Sequence, residues 1–282
     1  QAFNKHPTEL IGMTNQTVQE PAMTAQGPKV ALITGSGTGV GAATALMFAQ
    51  CGWRVVINYS RSESEARQSQ LACERAGAET LLVRADVAQD TDCKAMTEAA
   101  IRQWGRIDAL VNNAGITSFA GPSNWDAQDA ETFQRILGVN TVGAFQMIRA
   151  CAPHLRESRG AIVNVSSVAG SLGIGSSVAY VASKGAINAL TLHLARAMAP
   201  EVRVNAVCPG LITTRWFVDG VGQEQYDKIK AANEQATPLG QASSPEDVAE
   251  AIVWLITSAR TMTGELLQLD AGMHLGSTQT RR

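Results

Sequence analysis

The chain has 282 residues, 45% of them hydrophobic, with 23 basic and 25 acidic side chains and a formal net charge of −2. Near-balanced charge without a basic cluster leaves no footprint for nucleic acid or an anionic membrane, and the apolar stretches are broken well short of the ~20 residues that a membrane span needs. Five cysteines (51, 73, 93, 151, 208) and four histidines (6, 154, 193, 274) show no chelating spacing, so no metal site is expected, and buried thiols suit a soluble protein of the reducing cytoplasm.

Residues 1–28 are polar, without period, and lack the basic start and apolar core of a secretory signal. They read as a disordered tail, with Met13 or Met23 as a candidate natural start. The first patterned stretch is 29–61, KVALITGSGTGVGAATALMFAQCGWRVVINYSR. Val30 to Ile33 form an apolar run that ends in glycines, 42–51 is almost wholly small or apolar, Gly52 stops it, and Val55, Val56 and Ile57 follow. That is the order of one βαβ unit. Such a turn lays backbone amides and the positive end of a helix against a pyrophosphate, which needs positions with no side chain in the way. Two framings are open: Gly37, Gly39 and Ala42 fit the general dinucleotide fingerprint, whereas Thr34, Gly35, Gly39 and Gly41 spell TGxxxGxG.

A helix is expected over 63–76, with Ser60 and Ser62 in capping-box spacing to Glu63 and Glu65. Leu81, Leu82 and Val83 make a third strand, closed by Arg84, Ala85, Asp86 and Val87; Asp86 either meets an adenine amino group or caps a turn. A helix over 88–104 and a strand over 107–111 lead into Asn112, Asn113, Ala114 and Gly115, a sharp turn whose amides can tie strand ends together. The helix expected over 126–151 carries apolar residues on more than one stripe, leaving a face for a partner subunit, and contains Asn140. A strand over 161–165 runs into Ser166 and Ser167, then a glycine-rich loop at 170–175. The next helix, 178–199, puts Tyr180 and Lys184 on one face. Tyr226 and Lys230 repeat that spacing in a charged helix over 223–234 with no serine at a strand end before it, and read as a solvated face. Residues 211–222, with Trp216, Phe217 and Val218, lack a period and read as a lid over a binding site, burial in the core being the competing account. A helix over 245–258 and a strand over 266–269 complete the pattern.

TGxxxGxG, NNAG, Asn140, Ser167, Tyr180 and Lys184 together closely resemble the classical short-chain dehydrogenase/reductase family over roughly residues 29–273. VNAVCPG at 204–210, SPEDVA at 244–249 and TGELLQLDAG at 263–272 extend the match; Gln241 and Ala271 depart from it in loop and subunit packing. The resemblance implies a proton relay through Asn140, a substrate oxygen held by Ser167, Tyr180 as acid or base, and Lys184 both lowering the tyrosine pKa and binding the nicotinamide ribose. It also implies cofactor contacts from Gly35, Gly37, Thr38, Gly39, Val40 and Gly41 in the turn, and from Tyr59, Ser60 and Arg61 after the second strand. Asp86, Val87, Asn113, Ala114 and Gly115 follow the next two strands, and Pro209, Gly210, Ile212 and Thr214 lie beyond the sixth.

A carbonyl reduced by hydride becomes an alkoxide, so the site needs an acid and hydrogen-bond donors at the oxygen. A free phenol titrates near 10 and must fall by roughly three units to act near neutrality, some 4 kcal/mol of differential stabilisation, which an adjacent cation can supply in part. A reader of NAD carries a carboxylate about 20 residues beyond the glycines. Here Asn58, Tyr59, Ser60 and Arg61 stand there, and Arg61 is available for a phosphate; the basic residue that this family often has just before Gly39 is Thr38. The sequence therefore reads as a single doubly wound α/β domain over 29–282 with seven mostly parallel strands and helices on both faces. Its expected activity is that of an NADP(H)-dependent carbonyl reductase or alcohol dehydrogenase, NADP(H) being favoured over NAD(H), on a small carbonyl or alcohol. By resemblance it is a homotetramer with a scaffold most similar to 3-oxoacyl-thioester reductases. The alternatives are an NAD-dependent dehydrogenase of a small alcohol, sugar or steroid, and a catalytically idle nucleotide-sensing protein.

Overall fold

Alternate residues of the first strand, β1 (Val30–Ile33), feed opposite faces: Ala31 and Ile33 join one buried cluster, Val30 and Leu32 the other. A strand buried on both faces reads as a continuous apolar run, as parallel strands covered by helices do. The computed structural model describes residues 27–121 and 124–276, so nearly all of the expected tail lies outside the described residues. Among the described residues the strands are β1, β2 (Arg54–Tyr59), β3 (Thr80–Arg84), β4 (Ala109–Asn112), β5 (Ala161–Val165), β6 (Arg203–Pro209) and β7 (Leu266–Leu269). They form one sheet of order β3-β2-β1-β4-β5-β6-β7 in which every pairing is parallel.

One face is covered by α1 (Gly39–Gln50), α2 (Glu63–Arg75) and α10 (Pro245–Thr257), the other by α3 (Asp90–Trp104), α5 (Ala144–Ser158) and α7 (Val178–Met198). The strand order reverses between β1 and β4. The crevice outside the carboxyl ends of those two strands is where an open α/β sheet binds ligands. No helix among the described residues is long and apolar enough to cross a membrane.

Several local expectations need correction. α1 begins at Gly39, three residues earlier than its apolar run, which puts Val40 and Gly41 in its first turn. Ser62 is the N-cap of α2, but no capping box forms: Glu63 pairs with Arg67 and Glu65 with Arg215 instead. The long helix after β4 is composite. A short 3-10 turn (Trp125–Ala127) precedes α4 (Ala130–Leu137), which is capped by Asp129 accepting from Thr132 N at 2.8 Å. A π-helical segment, Gly138–Gly143, then joins α4 to α5 and holds Asn140. The apolar surplus is present there, with Val142 and Phe145 exposed.

The glycine-rich loop contains a single turn, α6 (Ala169–Leu172), and residues 211–222 contain α8 (Arg215–Val221), followed by α9 (Gln223–Ala236). Tyr226 is buried rather than solvated, its ring set against Phe217, while Lys230 pairs with Glu234. Cys51 is exposed at the end of α1; the other four thiols are buried.

The turn after β1 tolerates no bulk at its innermost position. A Cβ on Gly41 would stand 2.5 Å from both Asn113 Nδ2 and the Gly35 carbonyl. Gly41→Ala is therefore expected to destabilise by about 1–3 kcal/mol through overpacking, lowering the thermal midpoint by several degrees; an unchanged midpoint in a melting experiment would show that the turn yields freely.

Candidate active site

The turn between β1 and α1 is shaped by side chains from neighbouring strands. Gly35 N donates to Asn58 Oδ1 at 2.9 Å, and Ser36 Oγ accepts from Asn58 N at 2.9 Å and donates to the Ile33 carbonyl at 2.9 Å. Asn58 Nδ2 in turn donates to the Ala85 carbonyl at 3.0 Å. Asn58 is thus a buried tie between three strand ends, a role that its place in an acid-free stretch does not reveal. From β4, Asn113 Nδ2 donates to the Thr34 and Gly35 carbonyls at 2.9 and 3.0 Å, while the Asn113 and Ala114 amides donate to Thr34 Oγ1. The expectation that NNAG ties strand ends is met.

Beyond these ties the turn presents free donors. The first bond within α1 runs from Ala42 N to the Thr38 carbonyl, Thr38 caps without a side-chain bond, and no acid stands in the first turn. The amides of Gly37, Thr38, Gly39, Val40 and Gly41 meet no acceptor among the described residues. A helix start with unsatisfied donors carries partial positive charge. Gly39 sits at φ 55°, and a Cβ there would meet only Thr214 Cγ2, at 3.6 Å. Thr214 therefore faces the turn across a narrow cleft, with Ile212 held by its bridge to Ser243 and Gly210 packed on Asp270. Donors, charge and width fit a dinucleotide pyrophosphate.

At the end of β2, Tyr59 is half-buried and Ser60 and Arg61 are exposed; Arg61 makes no side-chain hydrogen bond or ion pair among the described residues. Asp86 accepts from Ala88 N at 3.0 Å, so it does cap a turn, and Val87 packs against Gly143.

At the end of β5, Ser167 is buried, its Oγ accepting from Ala169 N at 3.2 Å, and it stands near enough to the Tyr180 phenol to favour the ionised form. Pro209, ending β6, offers its carbonyl to Ser167 Oγ at 3.4 Å. Ser177 Oγ caps α7, accepting from Tyr180 N at 3.2 Å. Lys184, one turn on, donates from Nζ to the Val165 carbonyl at 2.7 Å and lies 5.5 Å from the Tyr180 ring centroid. Asn140 holds the loop after Gly115: its Oδ1 accepts from Ile116 N at 2.8 Å, and its Nδ2 donates to the Ile116 carbonyl and to Ser183 Oγ. A Cβ on Gly115 would lie 3.4 Å from Asn140 Oδ1 and 3.8 Å from Lys184 Nζ. The structure thus gathers the widely separated residues of the sequence analysis into one crevice.

α8 roofs it. Trp216 stands edge-on to Tyr180, centroids 6.2 Å apart at 85°, and Phe217 meets Phe119 at 5.6 Å and 62°. A cavity of about 470 Å³ opens beside the 120–128 loop, lined by Gln128, Trp125 and Val178 among others, and does not touch Ser167, Tyr180 or Lys184.

The electrostatics correct one expectation. Burial pushes the Tyr180 phenol up to about 12, with Ser167 beside it pulling the other way, and pushes Lys184 down to about 8. Desolvation disfavours the charged form of each. Lys184 stays mostly protonated at neutral pH, but its ammonium is turned to a backbone carbonyl and burial dominates the phenol.

A family model described as "Enoyl-(Acyl carrier protein) reductase" matches residues 35–274. The chain is 42% identical over 247 residues to a protein named as ketoacyl reductase 2 of the granaticin polyketide synthase of Streptomyces violaceoruber, covering 87% of this chain and 96% of that one. It is 38% identical over 253 residues to the 3beta-hydroxysteroid dehydrogenase 1 of Eggerthella lenta, covering 88% and 94%. A solved structure described as a short-chain dehydrogenase/reductase from Burkholderia xenovorans superposes with a TM-score of 0.81 at 41% identity, over 88% of this chain and 99% of that one. The chain belongs to the short-chain dehydrogenase/reductase family. It is an oxidoreductase acting on CH–OH and C=O groups, and the family works with NAD(P)(H).

Titration provides a direct check on the phenol. Difference absorbance at alkaline pH between wild type and Tyr180→Phe should show no phenolate from Tyr180 until well past the ordinary value near 10, since burial raises it to about 12. A step below that ordinary value in the protein alone would mean that Lys184 charges the pocket after all.

Proposed function

We propose that this short-chain dehydrogenase/reductase is an NADP(H)-dependent ketoreductase, in which Tyr180 gives a proton to, or takes one from, the oxygen of a carbonyl or secondary alcohol. The observation that carries the reading is the meeting of Ser167, buried at the carboxyl end of β5, with Tyr180 and Lys184 on one face of α7, where Lys184 Nζ donates to the Val165 carbonyl two residues before Ser167. Ser167 holds the substrate oxygen beside the phenol, so the proton has a short path. Lys184 is anchored by Val165 where a ribose hydroxyl can reach it. Asn140 fixes the loop behind Lys184 through Ile116 and Ser183, and its π-helical setting disturbs the regular backbone ladder where the proton relay is to run. The nicotinamide cofactor supplies the hydride and, when oxidised, a positive charge. The free amides of the glycine turn and the start of α1 are the groups to hold its pyrophosphate, with Asn113, Gly115, Ile212 and Thr214 along the same cleft.

The preference for NADP(H) rests on the β2 end. Asn58 is occupied inside the fold, no carboxylate stands among residues 58–61, and Arg61 is exposed with its guanidinium uncommitted. The same reading takes 29–282 as a single catalytic domain, a cytoplasmic location, and a homotetramer that covers the exposed Val142 and Phe145. The intact Ser167, Tyr180 and Lys184 argue against an idle nucleotide sensor.

Tyr180→Phe is expected to cut turnover by at least ~100-fold, the scale of a lost general acid, with cofactor affinity within a few fold of wild type, while Tyr226→Phe leaves turnover near normal. If steady-state kinetics found the two variants alike, the assignment of Tyr180 would be wrong. For the cofactor, a charge-assisted hydrogen bond contributes about 1.5–3 kcal/mol, so NADPH should be preferred roughly ten- to a hundredfold. Arg61→Ala should raise the Michaelis constant for NADPH and hardly move that for NADH; an equal effect on both, or a wild type that prefers NADH, would overturn the preference.

A further inference from the structure

The roof of the site is made of rings. Trp216 and Phe217 come from α8, Phe119 from the loop after β4, and Tyr226 backs Phe217 from α9, its ring tilted by 32° at 6.5 Å. α8 comes this close because residue 220 is a glycine: the Phe119 ring occupies the space where a Cβ would stand. Trp216 retains 39% of its surface exposed while its ring stands nearly perpendicular to that of Tyr180, so it borders both the tyrosine and solvent.

Three polar side chains of that segment, Thr117, Ser118 and Gln128, are already hydrogen-bonded. Thr117 and Ser176 hydrogen-bond each other at 2.6 Å, Gln128 Nε2 donates to Ser118 Oγ, and Gln128 Oε1 accepts from Ala179 N at 3.1 Å. Stiff aromatic side chains give contact area at low entropic cost, and their faces and edges favour offset or edge-to-face neighbours. Together with a polar set that is already satisfied, they select by shape rather than by hydrogen bonding.

The charge around the mouth adds a second constraint. Residues 116–131 carry Asp126, Asp129 and Glu131 and no base; residues 211–236 carry Asp219, Glu224, Asp227 and Glu234 against Arg215, Lys228 and Lys230. Each of those three bases is engaged: Arg215 with Glu65 at 2.8 Å, Lys228 with Glu224 at 2.7 Å, and Lys230 with Glu234 at 3.6 Å. Those pairs neutralise Glu224 and Glu234 as well, but an acidic surplus remains on the segments that carry the roof, and it repels an acidic partner.

We propose that the site takes a free, flat, apolar cyclic ketone, or the matching secondary alcohol, lying against Trp216, Phe119 and Phe217 with its oxygen at Tyr180, and does not serve a thioester borne on an acidic carrier protein. The inference rests on the reading of Tyr180 as proton donor. In the reductive direction, hydride from the reduced nicotinamide forms the C–H bond, the phenol O–H proton goes to the oxygen, and the products are the alcohol and the oxidised cofactor.

The experiment uses the full chain with NADPH and three carbonyls: 2-tetralone, 3-oxobutanoyl-N-acetylcysteamine, and the same acyl group on an acidic acyl carrier protein. Quenching of tryptophan fluorescence by 2-tetralone, read without cofactor, supplies a signal independent of turnover. The expected kcat/KM for 2-tetralone is at least tenfold above that of the free thioester, with no gain from the carrier. Trp216→Ala should raise KM for 2-tetralone roughly tenfold with little change in kcat, the loss of one aromatic contact and its buried area, and Trp216→Phe should restore most of the affinity while abolishing the quench. Better turnover of the carrier-borne thioester, or a Trp216→Ala effect equal on all three substrates, would overturn the inference and leave the ketoreductase reading intact. Quenching that depends on Trp216 without reduction of any of the three carbonyls would instead remove the ketoreductase reading on which the inference rests.

Discussion

Side-chain amides at the carboxyl edge of the sheet hold the whole crevice in shape. The backbone ladder stops where the strands end, and it is there that Asn58 ties β1, β2 and β3, and that Asn113 ties β4 to the glycine turn. One layer further in, Asn112 Nδ2 donates to Asn164 Oδ1 at 2.9 Å and Asn164 Nδ2 to Thr191 Oγ1 at 2.9 Å, a chain that runs from β4 through β5 to α7. Each such bond contributes only about 0.5–1.5 kcal/mol net, but orphaning a buried partner costs about 1–3 kcal/mol. Slippage of one strand end would orphan several groups together, so the amides specify position more than they add stability. Asn112 Oδ1 is the one buried side-chain atom of this set without a partner among the described residues.

The same rigidity gives the site its electrostatic tension. α7 carries Tyr180 and Lys184 on one face; Lys184 is buried against the end of β5, and Tyr180 is half-buried with its ring against Trp216. Tyr180 rises to about 12 and Lys184 falls to about 8 as a result. The phenol near neutrality is therefore firmly protonated, the form that a reductase needs in its acid. Charge brought into the crevice acts there at low effective dielectric, so it moves the phenol further than it would in water.

The sheet and the glycine turn were readable because doubly covered parallel strands are continuous apolar runs, and the site was readable because its residues stand at strand ends and one helical turn apart. What escaped depends on partners far along the chain. The Ser62 spacing promised a capping box, yet Glu65 is taken by Arg215, 150 residues away. α8 has too few residues to show a period, and it is held by Phe119 and Tyr226, which also explains why Tyr226 is buried in a helix whose sequence reads as solvated. The π-helical turn around Asn140 uses the same residue types as the α-helices on either side, so nothing in its composition marks it. Asn58 looked like a mere missing acid; its work is in the hydrogen bonds that only the folded strands bring to it.

The ion pair between Glu65 and Arg215 joins the first turn of α2, beside the β2 end that flanks the nucleotide cleft, to the first turn of α8, which roofs the substrate. Both ends are solvent-accessible, so the strap is sensitive to ionic strength. It is a contact between the nucleotide side and the substrate side of the crevice, and at such exposure it adds little stability. Its two residues stand 150 positions apart in the chain, so neither segment carries the mark of this contact by itself.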